Sequence, residues 1–253
     1  MRKASAPEGR DREDSPASKP GSGQPHYAGH RDRLRQRFLT QGADALSDYE
    51  LLELILFSAI PRQDVKPLAK RLLAEFGGLG ALLSARPEEL ERRGGIGLPT
   101  IALLKAVGAA SLRILKAEVI QRPVIGSWDR LLDYLGASLR HEKTEQFRLL
   151  FLDRKNALIA DELQQRGTVD QAPVYPREVV KRALELEASA VILVHNHPSG
   201  DPTPSRADIE ITREVARALE TVGIALHDHL IVGRSANASL RALGLIRSRA
   251  ADC

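Results

Sequence analysis

The stretch VILVHNHPSGDPTPSRADIEI, residues 191–211, decides how this chain is read. Val191, Ile192, Leu193 and Val194 form a short apolar run of buried-strand type. The run delivers His195 and His197, two residues apart and so on one side of an extended chain. Asn196 points the other way. Pro198, Pro202 and Pro204, with Gly200, then force a stiff loop. Ser205 is placed to cap the next helix, and Asp208 falls in its first turn. This order can bring two imidazoles and one carboxylate to a common point. Two His and a carboxylate, with a fourth position left to water, is a catalytic zinc pattern. A plainer reading competes: two polar residues in a turn, and a Ser205/Asp208 cap that is favourable without any metal.

Outward from this segment, strands and helices alternate. FRLLFLD (147–153) and ALIADELQQRG (157–167) read as strands around the turn Arg154-Lys155-Asn156. SWDRLLDYLGASLR, PREVVKRALELEA and SRADIEITREVARALETVG read as helices, and IALHDHLIVG as another strand. The pattern predicts a layered α/β or α+β domain over residues 123–247. His227 and His229 in LHDHLIVG share a strand face by the same two-residue period. A partly exposed strand is the preferred reading there over a second shell or a second metal site, because no carboxylate-bearing helix start follows.

Residues 27–122 read as all-helical. Ser47 or Asp48 opens LSDYELLELILFSAI, Gly77-Gly78 stops VKPLAKRLLAEF, Pro87 opens PEELERR, and Pro99 opens a long helix. In that helix Ile101, Leu104, Val107, Leu112, Leu115 and Val119 suit one or two buried faces. The connection GGIGLPTIALLKA resembles a helix-hairpin-helix turn. Gly95 and Gly97 would let a DNA phosphate approach backbone N–H groups at a helix N-terminus, with Lys105 adding salt-dependent attraction. Such contact is non-specific. The competing reading is a glycine-rich connection between packed helices.

The chain has 253 residues, 37 Lys+Arg against 33 Asp+Glu, and a formal charge of +4. The basic excess lies in the helical part, with Arg31, Arg33, Arg35 and Arg37 as a dense run. A single Cys, Cys253, excludes an intrachain disulfide framework and Cys-rich zinc folds. Any metal must therefore be held by His and carboxylate. No stretch approaches the roughly 18 uninterrupted apolar residues of a membrane span, and MRKASAPEGRDRED has no apolar secretory core. A cytoplasmic location and no membrane partner are expected. Residues 1–26, rich in Pro, Gly, Ser and charge, read as a disordered tail, and residues 248–253 as a disordered C-terminus.

The spacing His195-x-His197-x7-Ser205-x2-Asp208 matches the JAMM (MPN-plus) metalloprotease motif at every specified position. The wider stretches FRLLFLDRKNALIADE, RGTVDQAPVYPREVVKRALELEASAVILVHNHPSGDPTPSRADIE and LHDHLIVG resemble the RadC-like family, also called UPF0758, over about residues 28–246. The resemblance implies an α+β fold, the cytidine-deaminase-like or MPN layered α-β-α arrangement, behind an N-terminal all-α helix-hairpin-helix-like domain. It implies Zn2+ held by His195, His197 and Asp208. Ser205 would hydrogen-bond a developing oxyanion or steady the water, and Glu145 best matches the family's general base. The implied reaction is amide or isopeptide hydrolysis of a peptide substrate. RSANASLRALGLI after Gly233 departs from the strand-then-helix continuation usual in the family. The family also carries a DNA-repair label, so the alternative is a DNA-associated binding protein whose metal domain is a scaffold.

Overall fold

A computed structural model describes residues 26–120, 122–166 and 174–246. The tail reading over 1–26 is corrected at His26, which opens a helix; residues 1–25 and 248–253 lie outside the described residues, as does Gly167 at the end of the second strand reading.

The N-terminal region contains α1 (His26–Gln41), α2 (Asp48–Ala59), α3 (Lys66–Phe76), α4 (Leu79–Ser84), α5 (Pro87–Arg92) and α6 (Leu98–Val119). Local signals set most of these ends. Ser47 caps α2, and both its N–H and hydroxyl donate to the Glu50 carboxylate, at 3.0 and 2.9 Å. Gly77 ends α3, and Pro87 and Pro99 stand in the first turns of α5 and α6. Leu52, Leu56, Leu72, Leu82, Leu90 and Leu104 meet in one core with no exposed surface. Each buried leucine contributes about 2 kcal/mol of apolar transfer. The helix α1 was not anticipated as a separate element within the helical region. Three arginines of its run are engaged internally: Arg31 binds carbonyls at the end of α2, Arg35 pairs with Asp32, and Arg37 pairs with Glu50.

The C-terminal region contains α7 (Trp128–Leu139), β1 (Gln146–Leu152), β2 (Leu158–Arg166), α8 (Pro176–Glu185), β3 (Ala190–Asn196), α9 (Arg206–Thr221), β4 (Ala225–Val232) and β5 (Asn237–Ser239). The strands form one mixed sheet in the order β2-β1-β3-β4-β5, with β3 and β4 parallel and the other neighbours antiparallel. The parallel pair is joined through α9. Helices cover both faces. Phe147, Leu149, Phe151, Val191 and Leu193 pack with Val179 and Ala183 of α8 and Val215 and Leu219 of α9. On the other face, Leu150, Leu152, Ile192 and Val194 pack with Leu131, Leu135 and Leu139 of α7. Burial on both faces explains why β3 is apolar at consecutive positions and does not alternate with polar residues. A short strand, β5, does follow Gly233, where the sequence departs from the family pattern.

Helix α6 serves both regions. Ile101 and Leu104 enter the N-terminal core, whereas Val119 and Leu115 pack on the α7 side of the sheet. By length and composition α6 would reach across a membrane. It carries Lys105, Arg113, Lys116 and Glu118, and its two ends belong to two protein cores.

Candidate metal centre

Strand β3 sends His195 to the α9 side of the sheet, the face of Val191 and Leu193, so strand alternation sets its direction. Its ring is fully buried and stacks on Phe147, with centroids 5.9 Å apart. His197 follows just past the strand end. Ser205 caps α9: its hydroxyl oxygen accepts the Asp208 N–H at 3.1 Å, and its own N–H donates to Asp208 Oδ2 at 2.7 Å. That reciprocal cap holds the carboxylate toward the histidines.

Three side chains converge, Asp208 through both of its oxygens. His195 Nε2 lies 2.9 Å from His197 Nε2 and 3.2 Å from Asp208 Oδ1, and His197 Nε2 lies 3.5 Å from Asp208 Oδ2. Zinc bonds of about 2.0–2.1 Å at tetrahedral angles place ligand atoms about 3.4 Å apart. The observed separations bracket that value. Burial alone would raise the Asp208 carboxyl, but hydrogen bonds with His195 and His197 outweigh it and hold it far below the usual range. The bond to Asp208 raises His197 despite partial burial.

The other ring nitrogens decide where the imidazole protons sit. His197 Nδ1 donates to the Asp201 carbonyl at 2.8 Å. His195 Nδ1 meets His229 Nε2 at 2.8 Å, and His229 Nδ1 meets Thr212 Oγ1 at 2.5 Å. Thr212 in turn donates to the Asp208 carbonyl, one turn back on α9. A carbonyl accepts only, so the chain has one consistent direction. Thr212 gives its proton to Asp208, His229 donates from Nδ1 to Thr212, and His195 donates from Nδ1 to His229. His229 is buried without exposure, and burial, with His195 beside it, keeps it from charging. With both Nδ1 protons directed elsewhere, His195 and His197 present Nε2 to one another and to the carboxylate. At those positions either a proton or a metal can be held against Asp208, and the donor set fits a divalent metal.

His229 corrects one sequence expectation. His227 and His229 do not share a face, because the β3–β4 ladder steps from Val191–Leu226 to Ile192–Asp228 and leaves His227 as an extra residue. This bulge reverses the alternation. His229 joins the metal cluster, while His227 bonds Asn156 Oδ1 at 2.6 Å on another side. Thr212 was missed altogether. Its signal was its place four residues after Asp208, one helical turn along the buried face of α9.

Glu145 immediately precedes β1 and is half-buried. Its negative charge contributes to holding the His197 proton. The segment that carries it is pinned by Asn196. The Asn196 amide accepts from Gln146 N–H at 2.9 Å and donates to the carbonyls of Thr144 and Glu142 at 3.2 and 3.3 Å. The loop is backed by Gly233, where a Cβ would stand 2.6 Å from the Gly200 carbonyl oxygen. Only glycine allows that approach.

The residues read as DNA contacts belong to the N-terminal region. Gly95 has φ +59°, which favours glycine, and Gly97 is the residue before α6. Arg71 donates to the neighbouring Gly94 carbonyl at 2.8 Å. Lys105 is engaged within the protein. Its ammonium donates to the carbonyls of Leu83, Ser84 and Ala85, at 2.9 to 3.3 Å, and so closes the end of α4.

Comparison with known proteins agrees with this geometry. Residues 125–245 match the RadC-like JAB domain, and residues 28–102 match the UPF0758 N-terminal domain. A UPF0758 protein of Rhodobacter capsulatus is 62% identical over 213 residues, covering 84% of this chain and 100% of that protein. Another, from Ruegeria pomeroyi, is 59% identical over 217 residues, covering 86% of this chain and 97% of the relative. The described His195, His197, Asp208 cluster thus lies inside a domain type related to JAMM metalloproteases, and the chain belongs to the UPF0758 family.

Proposed function

We propose that the protein is a zinc-dependent hydrolase of JAMM type that cleaves amide or isopeptide bonds. One observation carries this reading: the hydrogen-bond chain that turns both Nε2 atoms and a carboxylate toward one point. His195, His197 and Asp208 would hold the ion. Bound there, zinc polarises a carbonyl and lowers the pKa of water toward about 7. Glu145, at the rim beside His197, accepts the proton released by water and delivers it to the leaving amine. The Ser205 oxygen accepts the Asp208 N–H, which leaves the hydroxyl proton free to donate to an oxyanion. Phe147 and the buried β3 keep solvent from the inner side of His195.

The test is metal analysis of the purified full chain beside His195→Ala and Asp208→Asn, followed by proteome-wide detection of new N-termini or freed lysine amines. About one zinc per wild-type chain is expected. Both variants should lose it and should yield no new cleavage products. A wild type that takes up no zinc and matches His195→Ala in thermal stability sinks the proposal.

A further inference from the structure

Between the N-terminal helices and the sheet domain lies a cleft of about 750 Å³. Six cations line it: Arg86, Arg93, Lys105, Arg140, Lys143 and Arg234. Two carboxylates, Glu89 and Glu142, face them, so the cleft has a net +4, equal to the formal charge of the whole chain. Part of this charge is engaged within the protein: Lys143 pairs with Glu89, Arg93 with Glu75, and Lys105 with the three carbonyls of α4. Among the described residues, Arg86, Arg140 and Arg234 have no carboxylate within 4.0 Å. Arg140 Nε is buried without a hydrogen-bond partner. Beyond the effect of burial, Arg140 and Arg234 both push the pKa of His141 down, so their charges converge on one wall.

This cleft adjoins the metal centre. Pro198, next to His197, is part of its lining, and Arg234 N–H donates to the Gly200 carbonyl of the metal loop at 2.9 Å. We propose that the cleft binds an acidic stretch of polypeptide flanking the bond to be cut. The proposal rests on the hydrolase reading above and names the substrate class for it. Guanidinium groups suit carboxylates because the fork matches two oxygens, and the volume is that of a site for a short segment. A groove for single-stranded nucleic acid instead tracks phosphates with continuous positive charge and stacks bases on aromatic rings. Here Glu89 and Glu142 interrupt the positive wall, and Phe76 is the sole Phe, Tyr or Trp that lines it.

Fluorescence anisotropy of the purified full chain tests this with three labelled probes: hexaglutamate, a Gly-Ser peptide of equal length, and a thymidine oligonucleotide of equal charge. Hexaglutamate should bind, the Gly-Ser peptide should not, and binding should weaken as salt rises. The Arg140→Gln/Arg234→Gln double variant should lose about ten-fold or more in affinity. Arg92→Gln, exposed and outside the cleft, should match wild type. Arg86→Gln, on the exposed wall, repeats the test if the double variant melts early. Asp208→Asn should still bind hexaglutamate, which separates the two ideas. Binding without cleavage counts against the hydrolase alone, and cleavage indifferent to acidity counts against the cleft alone. Equal binding of the Gly-Ser peptide, or unchanged affinity in both arginine variants, overturns the proposal. So does an oligonucleotide that binds more tightly than the peptide and is lost with the same arginines, since the cleft would then be a nucleic-acid site.

Discussion

The helical region and the sheet domain both bury charged and polar side chains, and they use them differently. In the helical region the cations close helix ends. Arg31, 7% exposed, donates to the carbonyls of Ile60 and Gln63 at 2.7 and 2.6 Å and lies 4.5 Å over the Phe57 ring. Lys105 and Arg71 do the same at α4 and at the glycine turn. Each meets carbonyls that a helix end leaves without partners. The sheet domain has comparably closed groups: Arg148 holds Asp161 by two bonds of 2.9 and 2.8 Å and Tyr134 donates to the same carboxylate, and buried Asp228 accepts from the Arg241 N–H and the Ser239 hydroxyl. The polar group around His195 instead turns two Nε2 atoms and a carboxylate to one point. The contrast is informative because residue type alone does not separate the two cases. A cation directed at helix-end carbonyls closes the fold, whereas two imidazoles and a carboxylate turned to one point can hold a metal.

The largest expected effect tests the Asp161 group of the sheet domain. Asp161→Ala leaves the Arg148 charge and the Tyr134 hydroxyl buried without their partner, and should cost about 3–5 kcal/mol in urea unfolding. Arg31→Ala, which breaks the equivalent device in the helical region, should cost about 2–3 kcal/mol. A reversal of that order would show that α1 docking, not the sheet, limits stability.

The next effect sharpens the difference between structural and functional polar groups. His229→Ala removes the acceptor that fixes the His195 proton, and should weaken zinc binding by about 10–100-fold in chelator competition. Arg31→Ala should leave zinc affinity unchanged at temperatures where it is folded. Equal affinity of His229→Ala and wild type would mean that the His195 tautomer does not depend on the chain through Thr212.

The smallest effect is confined to the helical region. Burial alone would raise the Glu50 carboxyl, but hydrogen bonds from Ser47 and Arg37 outweigh it and lower it to about 2, from 4.5. A depressed carboxyl stabilises the folded state above its unfolded value and loses that contribution as pH falls through its folded value. The contribution of the α2 cap should therefore be complete above about pH 4.5 and fade toward about pH 2. Glu50→Gln should cost about 1 kcal/mol at neutral pH, and its difference from wild type should shrink over that acid window in thermal melts. A pH-independent difference would show that packing, not the ionised cap, is what Glu50 supplies.

Much of the candidate metal cluster's geometry was legible from residues 191–211 because its parts are local. Strand alternation sets the side that His195 takes, the prolines stiffen the loop, and Ser205 and Asp208 are joined by a cap three residues long. Helix starts at Ser47, Pro87 and Pro99 were legible for the same reason: capping acts within one turn. His229, Thr212 and the role of the basic residues were not. His229 reaches His195 only because a bulge at His227 shifts the parity of β4, and a bulge is a property of strand pairing, not of one strand's pattern. Lys105 has the composition of a phosphate contact until packing brings the end of α4 to it. By itself, then, the sequence determined most of the elements, several of their ends and the His-x-His to Asp spacing, since these depend on interactions over a few residues. Tertiary structure alone decided which polar groups are satisfied and which face one another, because that depends on register and burial between segments tens of residues apart.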